Sequence, residues 1–113
     1  MSKRDELITK YAKDLKDKCG VSADMELLKK VVIGCGPTIY RDDSSTVSGT
    51  DKEEVARIRT NFLLKKLMLK DGPDLDAGIA AINEQYGKSN RNKYRAVFYY
   101  LLVKHFKRES VYA

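Results

Sequence analysis

Tryptophan is absent from this 113-residue chain, there are only two prolines, two cysteines and one histidine, and no long apolar run occurs. Each scarcity removes a class of protein. Cys19 and Cys35 are too few for a disulfide scaffold, and with His105 as the sole histidine no Cys/His zinc set can be assembled, so no metal or cofactor is expected. Nothing approaches the roughly 18 apolar residues of a membrane span, and the opening Met1-Ser2-Lys3-Arg4-Asp5-Glu6 leads into no apolar signal core. The expectation is a cytoplasmic protein with no membrane attachment. Two prolines among 113 residues leave long stretches free to be helical.

What is present is charge. Residues of the Asp, Glu, Lys and Arg types make up 34% of the chain beside 42% apolar residues, a mixture that suits helices with solvated outer faces around one core. Of the net charge of +6, residues 91 to 113 carry +5. That asymmetry suits an acidic protein or another anionic partner, though net charge speaks to association rather than to a site.

Periodicity predicts five helices in a single domain spanning 1–113. Leu7, Ile8, Tyr11, Ala12 and Leu15 share an arc, with Ser2 to cap and Gly20 to stop the first helix. Ser22 is placed to cap a second, on which Met25, Leu28, Val31 and Val32 share a face before Gly34-Cys35-Gly36-Pro37 ends it. Arg41 to Thr50 reads as the longest loop. Thr50-Asp51-Lys52-Glu53 fits a capping box, opening a third helix that runs to Asp71-Gly72-Pro73. Pro73 begins a fourth, with Leu75, Ile79, Ile82 and Tyr86 in one stripe. Ser89 or Asn90 is expected to cap the fifth, apolar on both sides through Tyr94, Val97, Phe98, Leu101, Leu102 and His105, and through Ala96, Tyr99 and Val103. A strip of Lys93, Tyr100, Lys104 and Lys107 completes it. No strand is expected; the fold class is all-α, compact, with five helices packed around the apolar C-terminal one.

The stretches Ile33-Gly34-Cys35-Gly36-Pro37, Lys70-Asp71-Gly72-Pro73 and Lys88-Ser89-Asn90-Arg91-Asn92-Lys93-Tyr94-Arg95-Ala96-Val97-Phe98-Tyr99-Tyr100 resemble a bacterial family of small all-helical proteins known as a domain of unknown function. The resemblance runs over nearly the whole chain. It implies a single all-helical domain and brings no activity, cofactor or catalytic residue with it.

The candidate site is a crowd of cations. Lys88, Ser89, Arg91, Lys93 and Arg95 surround the expected start of the fifth helix, where the helix dipole disfavours positive charge and an anion should therefore sit. The spacing is not a nucleotide-binding P-loop, whose first glycine would fall at Ile82. Either an external phosphate or carboxylate binds there, or the arginines bridge to this chain's own acids, with Asp42, Asp43, Asp71 and Asp74 as the candidates. Nucleic acid is one version of the external anion, through phosphates on the cations and bases on Tyr94, Tyr99 and Tyr100, though no recognised signature is present.

Cys35, between two glycines and just before Pro37, is a reactive-thiol candidate if a helix start beyond it lowers its pKa. Asp42-Asp43-Ser44-Ser45 lacks the alternation of a calcium loop and reads as loop solvation. Arg59 and Lys66 fall between the apolar arcs of the third helix, where their stems can cover apolar surface. The reading leans against an enzyme and towards a binding or protein-interaction module, with self-association as a further use of the apolar helix faces and a redox protein centred on Cys35 as the alternative class.

Overall fold

The first helix shows how directly spacing becomes structure here. In the computed structural model, which describes residues 3–41, 45–47, 51–87 and 93–112, α1 spans Lys3–Cys19 and buries Ile8, Tyr11 and Leu15, with Leu7 and Ala12 beside them. Asp5 and Glu6 in its first turn and Lys16 and Lys18 in its last complement the dipole. Gly20 stops it at φ +67°, a conformation that costs a residue with a Cβ more than it costs glycine.

Helix α2, Met25–Cys35, starts two residues later than its expected cap. Asp24, not Ser22, is the N-cap: its Oδ1 accepts from the N–H groups of Glu26 at 3.1 Å and Leu27 at 3.3 Å. Asp24 wins because the buried Tyr100 hydroxyl accepts its own N–H at 2.8 Å, a tertiary anchor that local sequence does not reveal. Leu27, Leu28, Val31 and Val32 form the buried face, while Met25, in the first turn, stays 49% exposed. A 3-10 turn, Gly36–Tyr40, follows.

The compact five-helix architecture is the one expected, and two short strands, where no strand was expected, are added to it. Strand β1, Thr46–Val47, pairs antiparallel with β2, Lys93–Tyr94, in the register Thr46 to Tyr94 and Val47 to Lys93. Two residues are too few to show a period-two pattern, so only the fold's closure makes them strands.

Helix α3, Lys52–Arg57, is capped by Asp51, whose Oδ1 accepts from Glu53 N at 2.9 Å; the expected cap, Thr50, lies outside the described residues. The helix then widens into a π-helical segment, Ile58–Leu64, and leaves helical geometry there instead of continuing to Asp71. Its end is wound by Lys65 N on the Thr60 carbonyl at 3.3 Å and Leu67 N on that of Phe62 at 2.9 Å, after which Met68 takes φ +54°. Helix α4, Pro73–Tyr86, follows the expected stripe, with Leu75, Ile79, Ile82 and Tyr86 all buried and Pro73 in its first turn. Arg59 ties the two segments: it pairs with Asp71, with Asp76 through Nε at 3.3 Å, and donates to the Gly72 carbonyl at 3.5 Å. It is a strut between elements as well as a cover for apolar surface.

Helix α5, Arg95–Phe106, is the centre. Ala96, Val97, Phe98, Tyr100, Leu101, Leu102 and Val103 are all buried, and α1, α2 and α4 pack against it. Tyr100, expected on a polar strip, is fully inside, and His105, expected on the apolar side, is exposed. The helix begins at Arg95 with Tyr94 as its N-cap and no side-chain cap; Ser89 and Asn90 lie outside the described residues. The Arg95 N–H is taken by the Ser45 carbonyl at 2.8 Å, so the β-ladder substitutes for a cap. Gly78 lets α4 lie close on α5: a Cβ there would come 2.3 Å from Phe106 Cζ. A final 3-10 turn, Glu109–Tyr112, folds back towards α2. No helix among the described residues is long and apolar enough to cross a membrane.

Candidate functional site

The cation cluster is reorganised by the fold. Lys88, Ser89 and Arg91 lie outside the described residues, while Lys93 and Arg95 are placed on β2 and at the first position of α5. Lys93 is only 4% exposed, and that burial lowers its pKa.

Arg95 meets an acid from its own chain. Its Nη2 lies 2.8 Å from Glu54 Oε1, with the two side chains 17% and 12% exposed, and its Nη1 donates to the Tyr99 hydroxyl at 2.9 Å. Burial opposes the charge on the guanidinium, but Tyr99 and Glu54 outweigh it and hold the pKa above its ordinary value. Glu54 also accepts from Arg57 Nη2 at 2.9 Å. Glu54 was not among the acids named from sequence: Asp42 and Asp43 lie outside the described residues, and Asp71 serves Arg59. Glu54 gave little sign of itself, being one of several acids around the start of α3.

Beside this pair is a cavity of about 280 Å3. Val31, Gly34 and Cys35 line it from α2, Asn61 and Phe62 from the π-helical segment, Lys66 from just beyond it, Arg95 and Tyr99 from α5, and Tyr112 from the C-terminal turn. The π-helical widening matters because it sets Asn61 and Phe62 on the cavity wall; such segments occur often at functional sites. Phe62 stacks on Tyr99 with ring centroids 4.0 Å apart and planes 14° apart. Lys66 Nζ stands 4.9 Å over the Tyr112 ring, and no acidic side chain among the described residues pairs with it.

The Cys35 thiol opens onto this cavity without being activated. Burial pushes its pKa up to about 12, with Arg95 pulling weakly the other way, so the lowered value expected from a following helix start is not found. The reason is desolvation: the thiolate would sit among aromatic rings instead of at the end of a full helix. The same burial raises Tyr99 and Tyr112. On the other side of α5, Tyr94 packs against Tyr11 with centroids 5.3 Å apart and lies under Lys10 at 4.6 Å. Of the three tyrosines considered for base stacking, Tyr94 and Tyr99 are thus engaged with other rings and Tyr100 is enclosed.

Of the cavity residues, the sequence marks Arg95 and Cys35 as site candidates, Tyr99 as a stacking ring and Lys66 only as a cover for apolar surface. Asn61, Phe62, Tyr99 and Tyr112 come together through the break in the third helix and the return of the C-terminal turn. No group of three or more His, Cys, Asp or Glu residues that could hold a metal ion occurs among the described residues.

No curated protein matches the chain. The family described as Protein of unknown function (DUF2853) matches residues 10–110, from the second turn of α1 into the C-terminal 3-10 turn, and so takes in every residue that lines the cavity except Tyr112. The chain belongs to the DUF2853 family.

Proposed function

We propose that this chain is a non-enzymatic binding module whose cavity between α2, the π-helical segment and α5 accepts an anionic group. The observation that carries this reading is the charge balance of the wall. Arg95 is already engaged by Glu54 and the Tyr99 hydroxyl, whereas Lys66 holds an ammonium at the rim with no acidic partner among the described residues. Cavities with mostly apolar walls and a few placed polar groups are the usual form of small-ligand sites. Binding suits the wall better than proton transfer does, because Cys35, Tyr99 and Tyr112 are all pushed away from neutral pH, where a general acid or base is most effective.

The test is an amide-shift titration with a panel of small carboxylates and phosphates. Shifts confined to Cys35, Asn61, Lys66, Tyr99 and Tyr112 are expected; shifts spread over the lysines of α1 instead would contradict the reading. A second reading, association with an acidic protein or a second copy, is favoured by Met25, Ile33 and Tyr40, which are 49%, 50% and 44% exposed on α2 and the turn after it. A strict monomer at high concentration would count against self-association.

A further inference from the structure

We propose that the cavity's ligand is a small aromatic monocarboxylate, an inference that rests on the anion-binding reading and narrows it. Three properties of the wall converge on that class.

Size comes first. A cavity of about 280 Å3 lies just below the usual range for drug-sized ligands, about 300 to 1,000 Å3, so it suits a small single-ring compound better than a nucleotide.

Charge comes second. Of the two cations on the wall, Arg95 is held by Glu54, which it shares with the exposed Arg57, leaving Lys66 as the ammonium that lacks an acid among the described residues. One uncompensated positive charge matches a monoanion. A phosphate dianion would bring two charges to that single ammonium and leave one desolvated, which is costly.

Shape and hydrogen bonding come third. Phe62, Tyr99 and Tyr112 give the cavity aromatic walls, against which a flat ring packs with more favourable geometry than an alkyl chain. The Tyr99 hydroxyl accepts from Arg95 Nη1 at 2.9 Å, which leaves its own proton to donate, and no acceptor for it occurs among the described residues. The Asn61 amide and the Lys66 ammonium line the same cavity, so with that hydroxyl the wall offers three kinds of donor to a carboxylate beside its aromatic rings.

The experiment compares benzoate, acetate, benzyl alcohol and inorganic phosphate on the wild-type protein by amide-shift titration. The expected result is saturable binding of benzoate with shifts at Asn61, Phe62, Lys66, Tyr99 and Tyr112, and a Kd at least about tenfold lower than for acetate, benzyl alcohol or phosphate. If acetate or phosphate binds at the same residues as tightly as benzoate, the aromatic inference is overturned while the anion-binding reading stands. If benzyl alcohol binds as tightly as benzoate, the carboxylate is not recognised and both fall. If none of the four shifts the cavity residues, both fall as well.

Discussion

Helix α4 and the α3–π segment cover nearly equal lengths of chain and both reach the central helix, yet they do so in opposite ways. Helix α4 presents one apolar stripe, Leu75, Ile79, Ile82 and Tyr86, and lies along α5 with Gly78 allowing close approach. The α3–π segment reaches α5 through two specific contacts, Glu54 on Arg95 and Phe62 on Tyr99, and leaves a cavity between them. Regular helical geometry here makes a closed seam. The widened turn makes an opening with mostly apolar, aromatic walls and a few polar groups.

Substitutions on each side should separate these roles. The largest effect is expected for Ile79→Ala, which opens a void in the α4 seam and should cost about 3 kcal/mol in urea unfolding. A loss below about 1 kcal/mol would mean the seam is looser than its burial implies. Next, Arg95→Met leaves the Glu54 carboxylate without its α5 partner, though Arg57 still holds it; a loss of about 2 kcal/mol is expected. Adding Glu54→Gln should recover part of that loss, and strict additivity of the two changes would show that the pair does not couple α3 to α5.

Gly78→Ala should cost about 1 kcal/mol, since the clash with Phe106 exceeds the roughly 1 kcal/mol that alanine contributes to helix propensity. Combining it with Phe106→Leu should return most of the loss. If Gly78→Ala stabilises the protein on its own, the close approach of the two helices is wrong.

The cavity side carries its own pH signature. The folded state holds the Cys35 proton to about pH 12, whereas an unfolded thiol releases it near an ordinary value of about 8.5. The unfolded state therefore binds fewer protons in that window, and stability should fall as pH rises from about 9 towards 12. Cys19, pushed by burial up to about 11, and Tyr11, pushed up to about 12, act in the same direction. Native alkylation of Cys35 at pH 8 should be slower than that of a free thiol by about a thousandfold. Alkylation at the free-thiol rate would return Cys35 to the list of reactive groups.

The same contrast explains what could be read from the chain. The α4 stripe and the burial of Val97, Phe98, Leu101 and Leu102 on α5 follow from spacing, because a regular helix converts sequence period into a face. The α3–π segment breaks that conversion: past Ile58 the period changes, so although Leu63 and Leu67 share a face by spacing and are both buried, Met68 beyond them leaves the helix and is exposed. The caps of α2 and α5 were missed because long-range partners, the Tyr100 hydroxyl and the Ser45 carbonyl, decide them. Arg95 was recognisable as a cation needing an anion, but Glu54 becomes its partner only when α3 docks on α5.

The proposed anion site turns most directly on Lys66, the cavity cation with no acidic partner among the described residues. Lys66 is exposed, so Lys66→Met should change stability by less than about 0.5 kcal/mol, which keeps the binding comparison clean. Benzoate titrated into wild type, Lys66→Met and the exposed control Lys70→Met should show a Kd raised about fivefold or more by the first change and unaltered by the second. Equal affinities in all three proteins, or equal losses in both variants, would contradict it.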